Sequence, residues 1–257
     1  MIEALEVVSR DCFRSFAVLR NATVIDGEAT GVITGLPLTF FNGIGTARFS
    51  AADADRRVDG VIARFRAREQ SFRWWVTPGS TPSNLGEVLP AHGVRFVYTS
   101  AGMTVNLARI APVPSVPIRQ VRGDAEMETF ADILTTVFDR PKSDGAIWVD
   151  AYSQIGYEEP SPWAHFIAYD GDTPAATASV LLCGEVCGIY LVGTLASARG
   201  RGLGTAATLA ALHHARARGA SVGALQSSEM GERVYRAMGF VSHGMLAMYE
   251  WRYNTAP

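Results

Sequence analysis

Downstream of residue 117 the alternation of apolar and polar residues is regular enough to read element by element. Ile118 to Val121 predicts a short strand. From Asp124, Met127, Phe130, Ile133, Leu134, Val137 and Phe138 recur at helical spacing, and a second helical stretch covers Ile147 to Ile155. His165 to Tyr169 predicts a strand turned by Asp170-Gly171-Asp172. Ala176 to Cys183 and Val186 to Val192 pair as a hairpin around Gly184-Glu185. A long Ala- and Leu-rich helix runs from about Gly202 to Ala217. Arg216 and Arg218 complement its C-terminal dipole, and Gly219 stops it. Val222 to Gln226 is a strand, Glu232 to Met238 a short helix, and Met245 to Trp251 a last strand. The order β-α-α-β-β-β-α-β-α-β describes an α/β domain, a mixed sheet with helices on both faces.

Upstream the pattern is weaker. Leu38 to Gly43 looks like a strand entering a turn, and Ala54 to Arg68 like a charged helix. Phe72 to Val76 predicts a strand, Asn84 to Ala91 a helix ended by Gly93, and Phe96 to Leu107 strand material broken near Ala101-Gly102. Between the halves lies Ala111-Pro112-Val113-Pro114-Ser115-Val116-Pro117. Its prolines disfavour helix and cannot sit inside a central strand. The expected organisation is therefore an N-terminal domain over 1–110, a linker over 111–117 and a second domain over 118–257, which suits a length of 257 residues.

Composition narrows the function classes. Apolar residues make up 48% and charged residues 19%, the profile of a folded chain. A net charge of −2 argues against a nucleic-acid or anionic-membrane footprint, and the arginines from Arg56 to Arg68 alternate with acids as on a solvated helix face. No apolar run approaches the ~20 residues of a membrane span, and Glu3 and Glu6 interrupt any signal-peptide core. Cys12, Cys183 and Cys187 form no disulfide or metal framework. They read as core residues of a cytoplasmic protein without a metal.

The chemistry concentrates in Val192-Gly193-Thr194-Leu195-Ala196-Ser197-Ala198-Arg199-Gly200-Arg201-Gly202-Leu203-Gly204-Thr205. An apolar strand enters a short Gly-rich loop that opens a long helix. The glycines admit close backbone approach, several N–H groups converge at the positive end of a helix dipole, and Arg199 and Arg201 add charge. This is an anion site suited to a pyrophosphate. It lacks the Gly-Lys-Ser/Thr ending of a nucleotide P-loop and the βαβ start and later acid of a dinucleotide fingerprint.

Arg199-Gly200-Arg201-Gly202-Leu203-Gly204 resembles the Gln/Arg-x-x-Gly-x-Gly/Ala signature of the GNAT N-acetyltransferases, and the element order from Ile118 onward is similar to theirs. The resemblance implies acetyl-CoA as co-substrate. It also implies a bulged strand, placed here at Gly193, that splays from its neighbour to admit the pantetheine arm. Backbone groups of Val192 and Thr194 would meet the pantetheine and the thioester carbonyl, and Arg199 to Thr205 the pyrophosphate. Ala196 stands where the family usually has Pro. Ser228 to Phe240 resembles the family's Asn-x-x-Ala-x-x-Leu-Tyr-x-x-x-Gly-Phe segment, with Ser228 for Asn and Gly231 for Ala. Tyr235 falls on the tyrosine that donates a proton to the departing thiolate, and Ser228 on a cofactor contact.

Deprotonating an alkylamine costs about 4.6 kcal/mol at pH 7, yet the strand from Gly188 to Leu195 carries no acid. Glu229 is an alternative to be read mainly as solvated, and His165, His213, His214 and His243 receive no role. The expected activity is acetyl transfer to the amine of a small molecule by direct attack in a ternary complex. A non-catalytic CoA-binding module and a longer acyl donor remain alternatives, and a homodimer is left open. Phe72 to Val97 echoes the family's final strand–helix–Gly segment. The whole thus resembles a tandem GNAT arrangement, as in mycothiol synthase: two mixed, largely antiparallel sheets flanked by helices, the first copy degenerate and without cofactor.

Overall fold

The computed structural model describes residues 1–253. Among them the helices are α1 (Ile2–Arg14), α2 (Ala54–Arg66), α3 (Leu85–Ala91), α4 (Asp124–Val137), α5 (Asp144–Ile155), α6 (Leu203–Ala217) and α7 (Glu229–Ala237). The strands are β1 (Thr23–Ile25), β2 (Ala29–Ile33), β3 (Gly43–Ala47), β4 (Phe72–Val76), β5 (Arg95–Asn106), β6 (Ile118–Gln120), β7 (Trp163–Asp170), β8 (Thr173–Cys183), β9 (Val186–Thr194), β10 (Val222–Ser227) and β11 (Val241–Trp251). The result is a mixed α/β fold of two compact units. From residue 118 on, every predicted element is present in the predicted order.

The chain crosses between the units more than once. The first unit holds Met1–Met103, Gln226–Glu229 and the described residues from Ser242 on; the second holds Thr104–Leu225 and Met230–Val241. An unbroken domain over 118–257 is thus corrected: most of β11 belongs to the first unit. There it lies antiparallel to β4, with Trp251 opposite Phe72 and Ala247 opposite Val76. The pairing buries Tyr249 and Trp251 beside Phe72 and Trp74, so apolar area fixes the placement.

In the first unit β1, β2 and β3 run antiparallel in succession, and β4 joins β3 in parallel. Val58, Ile62 and Phe65 of α2 and Leu85 and Leu89 of α3 pack with Phe72 and Trp74 in one core. Two expectations fail here. Thr39–Phe41 is a 3-10 turn rather than a strand, because the buried Asn42 carboxamide donates to Leu36 O (2.7 Å) and Leu38 O (3.1 Å) and curls the segment. Ala101-Gly102 does not break β5. A Cβ on Gly102 would lie 2.4 Å from Leu246 Cδ1, so this glycine serves packing. The helix α1, whose buried Leu5, Val8, Cys12 and Phe13 recur at helical spacing, and the short strands β1 and β2 are additional to the elements expected from the sequence.

In the second unit β6, β7, β8 and β9 run antiparallel in turn, and β10 joins β9 in parallel. Leu209 and Leu212 of α6 and Met127, Phe130 and Leu134 of α4 are buried. Gly171 (φ 62°) and Gly184 (φ 69°) take left-handed conformations at the two tight turns of the meander.

Candidate active site

The site is built around the end of β9. Its ladder with β8 is regular from Val186 opposite Cys183 to Tyr190 opposite Ser179, then resumes with Gly193 opposite Thr177. Leu191 and Val192 on β9 thus face the single residue Ala178 on β8, which is a β-bulge. The bulge expected at Gly193 lies just before it, at Leu191, whose φ is 54°. A left-handed Leu costs about 1–2 kcal/mol, and Thr177 Oγ1, donating to Leu191 O at 2.9 Å, holds it in place. Gly193 is in register and lacks a side chain for another reason. A Cβ there would lie 3.0 Å from Val137 Cγ1 of α4.

On its other edge β9 pairs with β10 from Val186–Val222 to Gly188–Ala224 and no further. β9 itself continues to Thr194, so its edge beyond Gly188 has no ladder partner in β10. The half-buried Val192 lies on that stretch of β9.

The strand leads through Ala196–Ala198, a 3-10 turn, into the exposed Arg199, Gly200, Arg201 and Gly202. Gly200 (φ 79°) and Gly202 (φ 76°) are left-handed, and a Cβ at either would meet nothing within 4 Å. The first bond of α6 runs from Ala206 N–H to Gly202 O, at 2.9 Å. The N–H groups of Leu203, Gly204 and Thr205 therefore precede the helical ladder and point out of the helix end. Gly204 differs from the other two glycines: a Cβ there would lie 2.7 Å from Thr194 Oγ1, so it lets the helix seat on the strand end. Arg199 Nε donates to Thr194 O at 3.3 Å, and Arg201 pairs with Asp170 at the end of β7. The role of Asp170 had no sequence signal, because it lies far from the loop in the chain and reads only as a turn residue.

Tyr235 lies on α7, half-buried, its ring edge-on to Phe240 at 5.5 Å. Burial pushes its phenol up to about 12, so near neutrality it stays protonated. Ser228 directly precedes α7, and its carbonyl accepts from Ser227 Oγ at 2.8 Å. Glu229 is exposed. The histidines left without a role have structural places. His213 Nε2 contacts Ala111 O at 2.8 Å, and His214 packs edge-on to Phe166. His165 is buried, bonded through Nδ1 to Ser179 Oγ at 2.7 Å, and held neutral as burial lowers its pKa to about 3. Cys187 is buried and its thiol is pushed up to about 12, which disfavours the thiolate needed to bind metal or carry an acyl group.

Residues 127–240 match the acetyltransferase (GNAT) family. The fold of the chain is shared with solved structures described as GNAT acetyltransferases. A GCN5-related N-acetyltransferase from Kribbella flavida is 20% identical over 96% of this chain and 95% of its own, with a TM-score of 0.73. A second GCN5-related N-acetyltransferase, from Sphaerobacter thermophilus, is 19% identical over 92% and 77%, with a TM-score of 0.61. A tandem GNAT protein from the clavulanic acid biosynthesis pathway is 13% identical over 100% and 94%, with a TM-score of 0.57. No curated protein matches the chain.

Proposed function

We propose that the second unit is an N-acetyltransferase that moves an acetyl group from acetyl-CoA to the amine of a small molecule, by direct attack in a ternary complex. The observation that carries the reading is a coincidence of two features on one strand. The parallel pairing of β9 and β10 ends at Gly188 and Ala224, and the same strand then delivers the chain to an open, Gly-lined helix start. A long, thin ligand with an anionic middle fits such a path: the free edge of β9 takes the arm, and the helix start takes the pyrophosphate.

Acetyl-CoA supplies the activated acyl group; the chain supplies position and a proton. The N–H groups of Leu203, Gly204 and Thr205, with Arg199, Gly200, Arg201 and Gly202, bind and orient the pyrophosphate. Val192, Gly193 and Thr194 align the arm along the free edge of β9. The phenol of Tyr235, held protonated by burial, gives its proton to the leaving sulfur. No acid stands on β9, so the amine is expected to arrive neutral or to lose its proton to water.

The decisive test pairs calorimetry of acetyl-CoA binding with detection of released thiol across a panel of primary amines. Gly202→Val places a β-branched residue at φ 76° and blocks backbone approach, and should remove most of the affinity. Unchanged affinity in that variant would sink the assignment of the loop. Tight binding by the parent without thiol release on any amine would leave a CoA-binding module instead of an enzyme.

A further inference from the structure

The first unit holds a cation that its own fold leaves unused. Arg73 lies on β4 and is half-buried, and its Nε is shut off from solvent without a hydrogen-bond partner. The cross-strand residue is Glu250 of β11, the obvious partner. Its carboxylate instead pairs with Arg252 Nη2 at 2.9 Å, and no ion pair joins it to Arg73 among the described residues. A half-buried guanidinium left this way is unfavourable, because the desolvation it suffers is not offset by a bonded anion.

Its surroundings are those of a receptor. Trp75 follows on the same face of β4, and its ring meets the Tyr98 ring of β5 edge-on at 6.0 Å. The Tyr98 phenol is raised, chiefly by burial, with Arg73 opposing the rise and Glu250 adding to it. Tyr98 as a residue is 41% exposed, and Phe96 beside it on β5 is 53% exposed, large values for aromatic residues.

We propose that Arg73, Tyr98 and Trp75 form a binding site on the first unit for a monocarboxylate carried on a flat apolar body. The two Nη groups of the guanidinium are a planar fork of donors that matches a carboxylate, and the Tyr98 hydroxyl adds a further donor. The two rings offer an apolar wall to the body of the ligand. Inorganic phosphate offers no apolar body to the two rings and gains only the contact to the guanidinium. The site is independent of acetyl transfer in the second unit.

Benzoate is the probe, with inorganic phosphate and benzyl alcohol as the charge and shape controls, each titrated calorimetrically into the full chain. Saturable benzoate binding is expected, with phosphate and benzyl alcohol at least tenfold weaker. Arg73→Gln should lose benzoate binding at least tenfold, Tyr98→Phe should lose severalfold, and Arg56→Gln on the exposed face of α2 should lose none. Without ligand, Arg73→Gln should melt no lower than the parent, because it removes an unpaired charge. The proposal is overturned if the parent does not bind benzoate, if phosphate binds as well, or if Arg73→Gln binds benzoate like the parent. It is equally overturned if Arg73→Gln fails to fold or melts well below the parent, which would make Arg73 structural.

Discussion

Strands β3 and β9 occupy equivalent points of the two units. Each follows an antiparallel pair, leads into a helix, and takes a parallel neighbour, β4 or β10. Each also carries a bulge, at Gly45 in the first unit and at Leu191-Val192 in the second. The differences begin there. A Cβ on Gly45 would lie 2.2 Å from Ser9 O, so the backbone of α1 fills the space beside that bulge. The parting of β3 and β4 is closed again, as Thr81 N–H donates to Ala47 O at 3.1 Å and Phe49 N–H to Thr81 O at 3.0 Å. The helix that follows begins at Asp53, a carboxylate where the second unit has Gly202. Bulge, gap and helix start are all present in the first unit, and each is occupied by the protein itself. At the helix start an acid stands at the dipole of the first unit, where the second unit has an open glycine.

The largest effect should come from the tyrosine. Tyr235 precedes the left-handed Gly239 by the same offset as Leu89 precedes Gly93, and Leu89 is a fully buried core residue. If the second unit keeps a tyrosine there for its hydroxyl, Tyr235→Phe preserves the ring packed on Phe240 and removes only the acid. Turnover should fall about 10²–10⁴-fold with little change in the acetyl-CoA dissociation constant. Parent-like turnover in steady-state kinetics would return Tyr235 to the status of Leu89, a packing residue.

A smaller effect tests the filled bulge. Gly45→Ala forces a methyl against the Ser9–Arg10 backbone, which cannot yield as a side-chain tip can. A loss of ~3 kcal/mol is expected, seen as a fall in Tm of roughly 6–12 °C. Acetyl-CoA affinity per folded molecule should be unaffected. A parent-like Tm would mean that α1 does not hold that space.

How much of this was legible in the sequence follows from the same contrast. The second unit advertises itself because its glycines are concentrated: Gly200 and Gly202 cluster in a short loop between an apolar strand and a long helix, with open space beside both. In the first unit the glycines serve packing, at Gly31, Gly43, Gly45 and Gly102, scattered wherever another element presses close. Nothing local announces such contacts. Nor could local pattern place β11 beside β4, since that pairing joins Trp251 to Phe72 across most of the chain. The bulge was foreseen in the right strand but at the wrong residue. Glycine is the default for a bulge, whereas here Leu191 takes the left-handed turn and Gly193 yields to Val137.

The smallest effect concerns how the first unit secures its helices instead of a ligand. His92, at the C-terminus of α3, sits between two carboxylates of α2, with Nε2 2.9 Å from Asp55 Oδ1 and Nδ1 2.7 Å from Asp59 Oδ1. With both ring nitrogens facing acceptors, the doubly protonated imidazolium is the form that satisfies both, so its pKa is raised, first through the bond to Asp55. A raised folded pKa means that folding favours the protonated form. The stabilisation is complete below the unfolded value of about 6.5 and is lost as pH rises through the higher folded value. The carboxylates are well exposed, at 77% and 69%, so the contribution is modest and screened by salt. Denaturant midpoints measured at about pH 5.5 and about pH 8.5 should show the parent losing more stability on the alkaline side than His92→Gln, and the difference should shrink in high salt. An identical pH dependence in the two proteins would mean that the clamp is geometric only, and that α2 and α3 are held by Phe65, Leu85 and Leu89 beneath it.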